Sequence, residues 1–204
     1  MSLRLSFIGA FMLRTLAWFA LALALWFWLG ASLVQPSKWL SESIMLAAFP
    51  TWAYQVQQQG TQLILMTLVE VLQPDGRYAR PSFLIDGMRF GFGFPLLAAL
   101  FLATSKSGLW WKIPLGFALL VPVQAFGICT AWLDQVAIHA GHISTKFTQF
   151  SLAEQRIIVV AYQMGHLILP ALAPVLVWLS LERQFFAALL MEASLTEFNQ
   201  RKSS

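Results

Sequence analysis

Three side chains that could support covalent catalysis or stabilise an anion lie in or beside apolar stretches of the sequence: Cys129, His166 and Arg89. A cysteine activated by a neighbouring imidazole is the nucleophile of a thiol enzyme, and an arginine can stabilise the oxyanion. This set predicts a membrane-embedded cysteine hydrolase or transpeptidase that uses Cys129 and His166. The competing interpretation is structural, because cysteine is commonly a small buried packing residue and Gly127–Ala131 is an ordinary helix-packing stretch.

The three histidines form a second candidate site. His139 and His142 are three residues apart, and His166 is predicted at the same side of the membrane on the next helix. Two facing imidazoles can bind haem and three can bind zinc, so a haem or quinone redox subunit is a further alternative. His139 and His142 equally fit a solvated, glycine-containing loop. Since solvation explains them more simply, we expect no cofactor and no bound metal.

Four apolar stretches position these residues, at about 11–34, 87–104, 113–133 and 157–181. Each is close to the ~20 residues that a helix needs to cross ~30 Å of hydrocarbon. Hydrophobic residues make up 58% of the chain and charged residues 11%, whereas soluble domains carry about 25% charged residues. The sequence therefore predicts an all-α membrane protein with four transmembrane helices, built as a single membrane domain over residues 1–204. The bilayer is its first partner, and the scattered basic residues do not predict nucleic-acid binding.

Residues 35–86 form the one sizeable extramembrane insert. A short amphipathic helix is expected over 37–49, lying on the outer membrane surface. A β-hairpin follows, in which Tyr54 and Val56 alternate with glutamines and Gly60 forms the turn. Because an isolated hairpin is marginally stable in water, we expect it to pack on the membrane domain or on a partner.

The distribution of basic residues predicts that both termini are cytoplasmic. With this orientation the cytoplasmic side carries seven of the 13 basic residues, while six of the nine acidic residues fall on the outer side. Residues 182–204 are predicted to form an amphipathic helix on the inner surface. Gln124 and Gln163 are expected to hydrogen-bond between helices. Two ion pairs are expected as well, Asp134 with Arg156 and Asp86 with Arg89.

Two segments are candidates for partner contact. Alternating phenylalanine and glycine open the second predicted span, where Gly91, Gly93 and Pro95 indicate close backbone approach by another helix. The hairpin edge at Tyr54 and Val56 could accept a strand from a partner by β-augmentation.

Several segments also carry a family resemblance. Residues 91–100, 121–127 and 162–170, followed by Pro174 and Trp178, resemble the exosortase H-associated membrane proteins. The order of parts is similar too, with a tryptophan-rich first span, a short outer region and three further spans. The resemblance covers most of the chain and rests on structural rather than catalytic motifs.

The resemblance implies an accessory protein of a Gram-negative inner membrane that works beside an exosortase. Such an enzyme is regarded as a membrane transpeptidase that cleaves C-terminal sorting signals outside the cytoplasm. Its own cysteine, arginine and histidine pattern is not matched here, so the resemblance assigns no catalytic residue. The sequence thus predicts a non-enzymatic accessory protein that acts by contact with a multi-span membrane partner, while the thiol-enzyme and redox alternatives stay open.

Overall fold

The fold begins with a helix much longer than the first predicted span. The computed structural model describes residues 7–72, 78–104, 108–140, 148, 150–183, 185 and 187. Its first element, α1 (Phe7–Ala48), has 42 residues and is therefore about 63 Å long at 1.5 Å per residue. That is about twice the hydrocarbon thickness, so α1 extends well beyond the apolar layer. The prediction of a separate surface helix over 37–49 was wrong, because α1 continues through Pro36.

Packing explains why Pro36 does not end α1. Val34, Ser37, Ser41 and Met45 recur at helical spacing and are all buried in the fold. Lys38 and Glu42, one turn apart on the same half of α1, form an ion pair at 2.7 Å. A proline inside a helix costs about 3 kcal/mol through the lost N–H and the steric clash. Burial of this stripe against the rest of the chain offsets that cost.

A small antiparallel sheet follows α1. Its strands are β1 (Ala53–Gln59), β2 (Gln62–Thr67) and β5 (Ser82–Asp86), in the order β1-β2-β5, and β3 (Val71–Leu72) pairs separately with β4 (Tyr78–Ala79). The β1–β2 hairpin was predicted, and Gly60 occupies its turn with φ of 63°. The third strand was not predicted, and it makes β2 the central strand.

Helices form in all four predicted apolar stretches, and the all-α membrane fold is confirmed. After a 3-10 helix (Gly87–Phe90) come α2 (Gly93–Thr104), α3 (Leu109–Asp134), α4 (Leu152–Gln163) and α5 (Leu169–Leu181). Within the described ranges, three continuous helices are long and apolar enough to cross a membrane, namely α1, α3 with its extension, and α4 with α5. α2 has only 12 residues, about 18 Å. The tail helix predicted over 182–204 lies largely outside the described residues.

The helices run between two distinct ends of the molecule. At the sheet end, β5 packs on α3, where Trp132 Nε1 donates a hydrogen bond to the Phe83 carbonyl at 3.1 Å. At the tail end, Phe11 stacks on Trp178 with ring centroids 5.9 Å apart, and Lys112 pairs with Glu182 at 2.6 Å. The first and last described segments therefore lie at the same end of the molecule.

Gln124 ties three elements together inside this bundle. Its Oε1 accepts a hydrogen bond from Ser37 Oγ on α1, and its Nε2 donates to the Gly87 carbonyl at 3.0 Å. Gly91 leaves room for this side chain, since a Cβ there would lie 2.8 Å from Gln124 Nε2. The predicted interhelical role of Gln124 is confirmed, whereas Gln163 is exposed.

Candidate functional site

A polar groove of about 700 Å³ opens at the sheet end, between β5, the end of α3 and the junction of α4 with α5. Its volume falls in the range of about 300–1,000 Å³ that ligand sites usually occupy. Three residues predicted from the sequence as site candidates line it: Arg89, His139 and His166. The other lining residues are Gln62, Phe83, Leu84, Ile85, Asp86, Phe90, Ala131, Asp134, Gln135, Ala140 and Tyr162.

Two π-helical turns present the histidines to this groove. One extends α3 over Gln135–His139, and the other joins α4 to α5 over Met164–Ile168. Pro170 explains the second turn, because it has no N–H for the His166 carbonyl and its ring would clash with that carbonyl in an α-helix. Single π-helical turns inside α-helices are frequent at functional sites. Both histidines therefore lie where the regular helix is interrupted.

Arg89 is held at the groove by the short 3-10 helix. Asp86 caps that helix, its Oδ1 accepting a hydrogen bond from the Met88 N–H at 3.1 Å. The predicted Asp86–Arg89 ion pair is not formed, because the carboxylate serves as the cap. Arg89 is exposed and makes no hydrogen bond or ion pair with any described residue. A guanidinium that no described residue pairs with is available to an anion.

The His166 ring packs against two aromatic rings, and its Nδ1 atom makes no hydrogen bond to a described residue. Its ring stacks on Tyr162 at 5.5 Å between centroids, with 6° between the ring planes, and meets Phe90 at 5.6 Å. The Nδ1 atom is buried and has no hydrogen-bond partner in the part of the chain that the structure describes. Buried polar atoms without a hydrogen-bond partner are uncommon in folded proteins. The His166 ring thus lines the same groove as Arg89.

Asp134 faces His139 rather than Arg156. The distance from His139 Nδ1 to Asp134 Oδ2 is 3.4 Å, with the carboxylate largely buried and the imidazole exposed. Arg156 is exposed on α4 and has no ion pair in the described part of the chain. The predicted Asp134–Arg156 pair is therefore absent, and the π-helical turn brings the His139 ring to the carboxylate instead.

Cys129 lies on the other side of α3 from the groove. Its Sγ is directed to the Ser41 carbonyl of α1 at 3.7 Å, in the apolar core beneath the sheet. Ala131 and Asp134, two and five residues further along, line the groove. Because each residue turns an α-helix by about 100°, Cys129 and Ala131 point in nearly opposite directions. The fold does not bring Cys129 and His166 together.

The described residues do not support the hypothesis of a metal site formed by the histidines. Nowhere in the described ranges do three potential metal ligands converge. His142 lies outside the described residues, so its pairing with His139 and His166 stays a prediction.

The predicted partner contacts divide into buried and exposed residues. Gly91, Gly93 and Pro95 are buried between α2 and its neighbours, and a Cβ on Gly93 would lie 2.7 Å from the Pro170 carbonyl oxygen. Their close approach is made within the chain, and a part in partner contact stays a prediction. Val56 is 1% exposed and belongs to the core, whereas Tyr54 is 57% exposed.

Sequence reasoning missed part of the groove wall. Tyr162 is one turn before His166 on the same helix face, a spacing that could have flagged it. Gln135 and the strand β5 gave no comparable signal, because the short run Ser82–Asp86 merges into the apolar stretch that follows it.

The chain belongs to the family of exosortase H-associated membrane proteins, which it matches over residues 5–185. That range contains the helices, the sheet and every residue of the groove. No curated protein and no solved structure matches the chain.

Proposed function

We propose that this member of the exosortase H-associated family is a non-enzymatic accessory protein of the bacterial inner membrane that contacts a multi-span exosortase. The observation that carries the proposal is the family match over residues 5–185. The association is with a membrane enzyme, so contact within the bilayer or at its surface is the simplest mode of action. In this proposal the sheet end faces the extracytoplasmic side and both termini are cytoplasmic.

The arrangement of the polar residues supports a role without catalysis. A thiol enzyme needs its nucleophile within hydrogen-bond reach of a base, and Cys129 points to α1 while His166 points into the groove. None of the described residues lining the groove is a cysteine, serine or threonine. Among its described residues the groove therefore offers groups for binding but no serine, threonine or cysteine nucleophile.

Complementation of a deletion strain tests the proposal. Deleting the gene should impair processing of exosortase-dependent proteins, and both wild type and Cys129→Ala should restore it. Processing is read as the ratio of mature to precursor protein on immunoblots. The small cavity left by Cys129→Ala should cost little stability, which fluorescence-detected size-exclusion chromatography checks. A Cys129→Ala protein that is folded and abundant but gives no processing would establish the thiol enzyme instead.

A further inference from the structure

The sheet has two edge strands, and α1 closes one of them. The Val56 N–H of β1 donates to Glu42 Oε1 on α1 at 2.9 Å. Gln58 on the same strand donates through Nε2 to the Ala31 carbonyl of α1 at 2.8 Å. An incoming strand would have to displace this helix. The edge that the sequence assigned to partner binding is therefore covered.

The other edge, β5, opens into the groove. Its register with β2 pairs Leu63 with Ile85, and the Gly87 N–H donates to the Thr61 carbonyl just beyond. In an antiparallel ladder the intervening residues point their backbone groups away from the partner strand, which directs those of Leu84 outward. The Leu84 carbonyl accepts a hydrogen bond from the half-buried Gln135 side chain at 2.9 Å. An incoming N–H can take the place of that amide.

The groove contains one arginine, Arg89, and its pairing bears on the kind of ligand that the groove can hold. The two carboxylates of the groove contact other groups, Asp86 the Met88 N–H and Asp134 the His139 ring. Arg89 and the buried Nδ1 of His166 have no partner among the described residues. The complement of a free guanidinium is an anion, and arginine binds carboxylates in bidentate geometry.

We infer that the groove binds an extended, carboxylate-bearing segment of the membrane partner, whose backbone adds to β5 and whose carboxylate pairs with Arg89. This inference rests on the proposed function and specifies how contact is made. A sheet edge recognises main-chain N–H and C=O groups. A phospholipid offers a phosphate to Arg89 but no backbone to β5, so the edge favours a polypeptide.

Photocrosslinking of the full-length protein in native membranes tests the inference. Benzoylphenylalanine replaces Leu84 on β5 in one variant and Tyr54 on β1 in the other, both large exposed side chains at 48% and 57% exposure. The Leu84 variant should crosslink to the membrane protein that co-purifies with the chain, with at least ten times the yield of the Tyr54 variant. Mass spectrometry should place the adduct in a segment with an acidic side chain or a C-terminal carboxylate.

Charge variants test the role of Arg89. Arg89→Glu should lower the crosslink yield of the Leu84 variant at least tenfold, while Arg89→Lys should retain most of it. Arg156→Glu is the matched control, because Arg156 is also exposed and unpaired within the described residues but does not line the groove. Equal losses for Arg89→Glu and Arg156→Glu would overturn the role of Arg89.

Other crosslinking outcomes separate this inference from the proposed function. A partner that co-purifies but crosslinks equally at both positions, or only through Tyr54, overturns the groove and leaves the accessory role intact. The Leu84 variant could instead crosslink to phospholipid or to a second copy of the chain while the partner still co-purifies. Either adduct would also overturn the groove inference and leave the accessory role intact. Absence of any co-purifying membrane protein overturns both.

Discussion

Ser37 of α1 and Gln124 of α3 share a buried hydrogen bond of 2.5 Å, although 87 positions separate them in sequence. The same amide reaches the Gly87 carbonyl just ahead of α2. One side chain thereby sets the relative position of two long helices and of the turn that carries Arg89. The geometry of the groove depends on this link in the bundle interior.

Gln124→Ala should destabilise the protein by about 1–3 kcal/mol, because it leaves the Ser37 hydroxyl and the Gly87 carbonyl buried without partners. The apparent melting temperature in detergent, measured by fluorescence-detected size-exclusion chromatography, should fall accordingly. Gln163→Ala is the control, since it makes the same change at an exposed position. Equal melting temperatures for the two variants would show that the buried link contributes nothing.

Gly93→Ala should destabilise the contact between α2 and α5. The new Cβ would lie 2.7 Å from the Pro170 carbonyl oxygen and 3.3 Å from Pro174 Cγ, and backbone cannot move aside as a flexible side chain can. Overpacking of this kind costs about 1–3 kcal/mol. The same chromatographic assay should show a lower melting temperature and more aggregate. Ala24→Val, which adds bulk at an exposed position of α1, should behave like wild type, and a stable Gly93→Ala protein would contradict the packing.

The orientation of the chain is testable by cysteine labelling. In a Cys129→Ala background, Gln57→Cys reports on the sheet end and Arg183→Cys on the tail end, both exposed positions. A membrane-impermeant maleimide should label Gln57→Cys in intact spheroplasts, and Arg183→Cys only after permeabilisation. Labelling in the reverse order would place the groove in the cytoplasm and separate it from an extracytoplasmic partner segment.

Local patterns were sufficient to predict the helices and the hairpin. Continuous apolar composition identifies the spans, and glutamines alternating with apolar residues around Gly60 identify β1 and β2. The end of α1 was not predictable, because Pro36 is a strong local stop signal and the packing that overrides it involves residues distant in sequence. The strand β5 was not predicted for a similar reason, because it is recognisable as a strand only by its pairing with β2.

The sequence predicted which residues of the site lie near the same membrane face. It did not predict the directions in which their side chains point. Arg89, His139 and His166 were expected near one membrane face, and they do meet in one groove. Whether a residue faces that groove depends on how far each helix is rotated about its axis, and an apolar helix with little amphipathic contrast does not reveal this. Cys129 and Asp134 share α3, yet the thiol faces α1 and the carboxylate faces the groove.

Contact with an exosortase is the central claim, and native mass spectrometry after mild-detergent purification from the host membrane tests it most directly. The proposed function predicts a complex whose mass equals that of this 22.9 kDa chain plus one multi-span exosortase, identified by its peptides. A matched preparation of Gln163→Ala should give the same complex. Recovery of the chain at 22.9 kDa or as a multiple of itself, with no exosortase peptides above background, would contradict the accessory role.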